Sequence, residues 1–104
     1  MVYGVGQNRF APNQSITREQ TAAILFRLAA AAGYPVDSFA PLGGFRDAAS
    51  ASEYARSALM WAVDAGIMQG NDRHELRPRG TATRAELAAM LVRFIAWCEM
   101  EMEA

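Results

Sequence analysis

Residues 4–28 and 70–94 align without a gap at a constant offset of 66. Gly4 pairs with Gly70 and Pro12 with Pro78. Thr17-Arg18 pairs with Thr83-Arg84, and Ala22-Ala23, Leu25 and Arg27 pair with Ala88-Ala89, Leu91 and Arg93. These eight identities in twenty-five positions mix turn, cap and core residues, which indicates an internal repeat. A repeat unit cannot bury its apolar face alone, so the chain must fold as stacked units.

Each copy has the same physical order. A glycine-containing polar loop leads to an apolar residue, Phe10 or Leu76, and then to Pro12 or Pro78, whose fixed φ favours a turn. Thr17-Arg18-Glu19-Gln20 and Thr83-Arg84-Ala85-Glu86 fit the capping box, in which the threonine and the side chain three residues later satisfy each other's backbone donors. Ala22, Leu25, Leu28, Ala29 and Ala32 then recur at three and four residues, as do Leu87, Met90, Leu91, Phe94 and Ile95. The spacing predicts amphipathic helices over residues 18–32 and 84–100, the first ended by Gly33 and Pro35.

Between the copies, Ser50-Ala51-Ser52-Glu53 is a third capping-box sequence. Tyr54, Ala58, Leu59, Trp61, Ala62 and Ala65 follow on one face, and Gly66 offers a C-cap. A middle helix of about fifteen residues is expected. Residues 33–44 carry Pro35, Pro41, Gly43 and Gly44 and read as a loop. Around Arg9-Phe10 and Glu75-Leu76 no alternating run is long enough for more than a minor β pair. The expected fold class is all-α, with three main helices and long loops. At 104 residues and 52% hydrophobic content, one domain is expected. Trp61 and Trp97 stand among apolar neighbours and are assigned to packing.

Several function classes are disfavoured. No apolar run approaches the roughly 20 residues of a membrane span, and Met1 is not followed by a signal-like segment, so a soluble chain or a piece of a longer one is expected. Cys98 is the sole cysteine, which precludes an internal disulfide. Arg73, Arg77, Arg79 and Arg84 cluster without interleaved aromatics in a chain of net charge -1, which argues against nucleic acid. His74 is the only histidine, so a zinc site is not expected, and the loop with Asp72 and Glu75 lacks the ligand alternation of an EF-hand. No nucleophile stands with a base and an orienting partner. Neither an enzyme nor a cofactor is expected.

Phe45 and Asp47, Tyr54-Ala55, Ala62 with Gly66-Ile67, Gly70, Leu76 with Pro78, and Thr83-Arg84-Ala85-Glu86 follow the order of an S-layer homology repeat. Residues 45–94 resemble that family, and residues 4–28 resemble the second half of a preceding repeat. On that frame, residues 1–32 are a half repeat, 33–44 a linker loop, 45–98 a complete repeat and 99–104 an acidic tail. There are departures: Tyr54 stands where tryptophan is usual, Ala82 replaces isoleucine, and Leu76-Arg77-Pro78 is an atypical F-x-P. The resemblance implies a bundle of helical repeats, usually three about a pseudo-threefold axis. It also implies attachment of a secreted protein to the bacterial cell wall through an acidic, pyruvylated secondary cell-wall polysaccharide held in grooves between repeats. With one and a half repeats, this chain is either a fragment or completes its bundle by self-association or with neighbouring repeats.

Arg18 and Arg84 follow the N-cap, where free backbone N–H groups and the helix dipole favour an anion and a guanidinium could complete a carboxylate site. They could equally be solvated or pair with Glu19 or Glu86. By the resemblance, Asp47 orders the loop or accepts sugar hydroxyls, or else caps the turn before Ser50. Tyr54 stacks on a sugar or packs in the core. Gly70 serves backbone geometry and touches a ligand only indirectly. The leading expectation is a wall-anchoring module with Arg18, Asp47, Tyr54 and Gly70 around one groove and Arg84 at a second. The alternative is a protein-interaction or oligomerisation unit on the same scaffold.

Overall fold

The computed structural model describes residues 15–103. Among them are three α-helices, α1 (Arg18–Ala31), α2 (Arg56–Asp64) and α3 (Arg84–Glu103), with 3-10 turns at Ala48–Ser50 and Glu53–Ala55. The all-α expectation holds. Among the described residues no strand forms, and the one isolated β-bridge joins Thr17 to Thr81. Glu75-Leu76 therefore makes no β pair with another described residue, while Arg9-Phe10 lies outside the described residues.

Two of the three capping boxes form. Gln20 N donates to Thr17 Oγ1 at 3.1 Å and Thr17 N to Gln20 Oε1 at 2.8 Å. In the second copy Glu86 N donates to Thr83 Oγ1 at 3.0 Å and Thr83 N to Glu86 Oε1 at 2.8 Å. Gly33, at φ 89°, supplies the left-handed residue that closes α1. α3 continues through Glu103, so the acidic segment after Met100 stays helical.

The middle helix is shorter than expected, nine residues from Arg56 to Asp64. The box at Ser50 does not form because its groups are engaged elsewhere. Ser50 Oγ donates back to Asp47 O at 2.8 Å. Ser52 donates its backbone N–H to Glu19 Oε1 at 2.9 Å and its hydroxyl to Glu19 Oε2 at 2.6 Å. The Ser50 cap is thus taken up by Asp47 O, Glu19 ties down Ser52 beside it, and the chain enters α2 through the 3-10 turn Glu53–Ala55 instead.

Small residues let α1 and α2 approach closely: Ala22, Ala29, Ala55, Ala58 and Ala62 are all almost fully buried. Trp61, on the same side of the molecule, is 1% exposed and meets Phe26, Phe94 and Trp97 edge-on, the last at a centroid distance of 5.2 Å. Edge-to-face pairs add to what area burial supplies. Tryptophans 61 and 97 are therefore packing residues, as expected.

The two copies interlock through backbone. Arg18 N donates to Gly80 O at 2.9 Å, Glu19 N to Pro78 O at 2.7 Å and Ala82 N to Ile16 O at 2.8 Å. The same offset exposes an asymmetry. In α1 the residues Arg18, Glu19, Ala22, Leu25 and Ala29 are buried, whereas their counterparts Arg84, Ala85, Ala88, Leu91 and Ile95 in α3 are exposed. α1 lays this face on α2; no described residue does the same for α3.

Candidate functional site

The loop between Met68 and Ala82 is shaped by one carboxylate. Asp47 Oδ1 accepts from Leu76 N and Oδ2 from Arg77 N, each at 2.8 Å. Burial would raise the Asp47 carboxyl. The N–H groups of Leu76 and Arg77, helped by its own backbone and the Arg18 charge, outweigh this and hold it below its ordinary value. Of the roles expected for Asp47, loop ordering is the one its contacts serve; its side chain caps no helix turn. Asn71 Oδ1 adds bonds from Arg73 N and Glu75 N. So braced, the loop holds His74 at φ 60° and Arg77 at φ 54°, a region that non-glycine residues seldom occupy.

Gly70 lies where the Phe45 ring presses on the backbone. A Cβ there would stand 2.6 Å from Phe45 Cε1 and 3.3 Å from Glu75 O. The glycine is required by close approach, while its backbone also lines the groove described below.

Arg18 is 8% exposed. Its Nε donates to Leu76 O at 2.9 Å, its Nη2 to Gln69 O at 3.1 Å, and its Nη1 lies 3.4 Å from Glu86 Oε2. Burial, with repulsion from Arg77 and Arg93, lowers its pKa; Glu86 and Asp47 act in the opposite sense. The backbone N–H groups at this helix entrance are already engaged: those of Arg18 and Glu19 by Gly80 O and Pro78 O of the docked second-copy loop, and that of Gln20 by the local cap Thr17 Oγ1.

Beside Arg18 runs a groove of about 310 Å³, walled on one side by the loop with Gly70 and Arg77 and on the other by α3 with Glu86 and Arg93. Glu86 Oε2 is shared by Arg18 and Arg77, both at 3.4 Å. The Thr83 N–H is the largest influence lowering the Glu86 pKa; burial opposes it and the two arginines reinforce it. Three arginines face two lining acids, Glu75 and Glu86, which leaves a positive surplus suited to an anion. Sequence reasoning missed Arg77, Glu86 and Arg93 as groove residues. Arg93 carried a signal, being an identity of the repeat with Arg27, and Glu86 was read as a cap and as a pairing partner for an arginine, not as a groove residue.

Tyr54 and Arg84 lie outside this groove. Tyr54, 58% exposed, borders a separate depression with Gln20, Ala23, Ile24 and Arg27. At the repeat offset those four α1 residues correspond to Glu86, Ala89, Met90 and Arg93, which line the groove on α3. The depression is therefore one wall of an equivalent groove. Arg84 is exposed and lines neither. Among the described residues no cluster of three metal-ligating side chains occurs, and no helix is long and apolar enough to cross a membrane.

Comparison with known proteins agrees with the repeat. The S-layer homology domain profile matches residues 2–22 and 44–88. An amylopullulanase of Thermoanaerobacterium thermosulfurigenes is 35% identical over 91 residues, 88% of this chain and 5% of that protein. Exoglucanase XynX of Acetivibrio thermocellus is 33% identical over 88% of the chain and 8% of its own length. A surface-layer 125 kDa protein of Lysinibacillus sphaericus is 32% identical over 95 residues, again 88% of the chain and 8% of that protein. The chain thus spans less than a tenth of these relatives. No solved structure matches.

Proposed function

The chain belongs to the S-layer homology domain family, and we propose that it is a cell-wall anchoring module that grips an acidic, pyruvylated secondary cell-wall polysaccharide in the groove where Arg18 of the first copy meets the loop and α3 of the second. The observation that carries this reading is the convergence of Arg18, Arg77 and Arg93 on a groove opposed by only Glu75 and Glu86. Guanidinium groups match carboxylates in planar, bidentate fashion, and a concave site concentrates their field. Asp47 and Gly70 shape the loop wall. Tyr54 borders the α1 counterpart of this groove, and Arg84 takes the part of Arg18 toward a further unit. The module contributes attachment at the bacterial surface as part of a secreted protein, and carries out no chemistry itself.

The test is co-sedimentation with bacterial sacculi before and after hydrofluoric acid removes their secondary polysaccharide. Retention on intact sacculi and release from stripped ones is the expected result. Equal retention on both, or none on either, rejects the reading.

A second reading is self-association or docking of a neighbouring repeat. It is favoured by the α3 face bearing Leu91 and Ile95, 48% and 55% exposed, whose α1 counterparts Leu25 and Ala29 are buried. On this alternative the scaffold is a protein-interaction unit and needs no glycan.

A further inference from the structure

Resting on the polysaccharide reading of this groove, we infer that Arg77, with Arg93 on the other wall, meets the carboxylate of the ligand, while Arg18 is a fixed structural cross-link. The chemical class is a carboxylate carried on a sugar chain.

The two arginines nearest Glu86 are held in opposite ways. All three side-chain nitrogens of Arg18 have protein partners, and its side chain is 10% exposed. Arg77 has a side chain 45% exposed, and among the described residues its guanidinium has one polar contact, to Glu86 at 3.4 Å. That is longer than the 2.7–2.9 Å typical of a strong charge-assisted bond, so the group is held loosely and can turn to a better anion. Arg93 is half-buried, with a single long polar contact among the described residues, from Nη1 to Ile67 O at 3.4 Å.

The backbone of Arg77, by contrast, is clamped. Asp47 accepts its N–H at 2.8 Å, and its carbonyl accepts from Gly80 N at 3.1 Å. Its left-handed φ of 54° is a strained choice for arginine, kept because the neighbours over-determine it. A Cβ at Gly80 would stand 3.0 Å from Arg77 Nη2 and 3.4 Å from its Cζ, so the glycine leaves room for the guanidinium. A rigid backbone presenting a loosely partnered cation into a groove is the arrangement of a ligand contact. Arg77 and Arg93 both repel the Arg18 guanidinium, and Arg18 and Arg77 share a single carboxylate oxygen. An incoming carboxylate relieves that repulsion.

The probe is polysaccharide extracted from a Gram-positive wall, used intact and after carbodiimide and borohydride reduction of its carboxyl groups. Wild-type protein is expected to bind the intact polymer and to lose most of its affinity for the reduced one. Arg77→Gly should weaken binding to the intact polymer about tenfold or more, the scale of one charge-assisted contact. It should do so without lowering thermal stability, because glycine adopts the left-handed backbone freely. Arg93→Ala should weaken binding comparably, and Gly80→Ala should weaken it by crowding the guanidinium. If wild type binds and Arg77→Gly binds as tightly, this inference is overturned while the polysaccharide reading stands. If wild type binds neither polymer, both fall.

Discussion

Glu19 holds Ser52 across the boundary between the two repeat copies, accepting its hydroxyl at 2.6 Å and its backbone N–H at 2.9 Å. Glu19 is 4% exposed, so its charge lies away from water and is compensated chiefly by this serine. The pair fixes where the 3-10 turn before α2 sits against the first turn of α1. On the other side of the same turn, the N–H groups of Arg18 and Glu19 dock on Gly80 O and Pro78 O, so the start of α1 is tied to both segments.

Removing one partner should therefore be expensive. Glu19→Ala leaves two donors of Ser52 without their acceptor and is expected to destabilise by about 2–3 kcal/mol, with Glu19→Gln intermediate because its amide keeps one acceptor oxygen. Urea unfolding at unchanged slope reads the difference as a shift in midpoint. A Glu19→Ala midpoint equal to that of wild type would show the contact to be energetically idle.

Acid should loosen the loop wall. Asp47 and Glu86 both have pKa values held below the ordinary carboxylate range by the backbone N–H groups they accept from and the arginines nearby. For a carboxyl depressed in the folded state, the stability contribution is complete above the unfolded value and is lost as pH falls through the folded value. Stability should thus be level with respect to these two groups above about pH 5 and decline from about pH 4 downward. Asp47→Asn, which offers one acceptor to two N–H groups, is expected to cost about 1–3 kcal/mol at pH 7 and to flatten the acid slope. A steeper slope in the variant would contradict the assignment.

Helix positions α1 and α3 were legible because periodicity and capping boxes are local, and the repeat supplied each signal twice. The start of α2 was not, since Ser50 and Glu53 satisfy the local rule, while the structure gives the Ser50 hydroxyl to Asp47 O and ties Ser52 to Glu19, 33 residues away. The candidate site divides along the same line. Asp47 and Gly70 stood out through the resemblance, and Arg18 through its place after a cap. That Arg18 is enclosed rather than open depends on carbonyls of residues 69 and 76, which no spacing in the first copy encodes. Arg77 gave no sequence signal, because its conformation is imposed by Asp47 from another segment.

Two glycines separate close approach from mere flexibility. Gly70→Ala drives a methyl group into the Phe45 ring and is expected to cost about 1–3 kcal/mol, the range for overpacking. Gly43 has nothing within 4 Å of the corresponding Cβ, and Gly43→Ala should change stability by less than about 0.5 kcal/mol. Thermal melts of the two variants side by side check the contrast. Equal effects would mean that Phe45 yields without resistance.

The open face of α3 predicts association. Leu91 and Ile95 lie on the same helix face, where α1 keeps Leu25 and Ala29 at 3% and 0% exposure. An apolar stripe of this kind gains roughly 25 cal/mol for each Å² it removes from water, so dilution should shift the equilibrium toward monomer. Sedimentation velocity over a range of concentrations is expected to show mass rising with concentration. Leu91→Arg should abolish that rise while leaving the fold intact, since the side chain it replaces is already half exposed. A wild-type chain that stays monomeric throughout would show that the α3 face is tolerated in water and would remove the interaction reading.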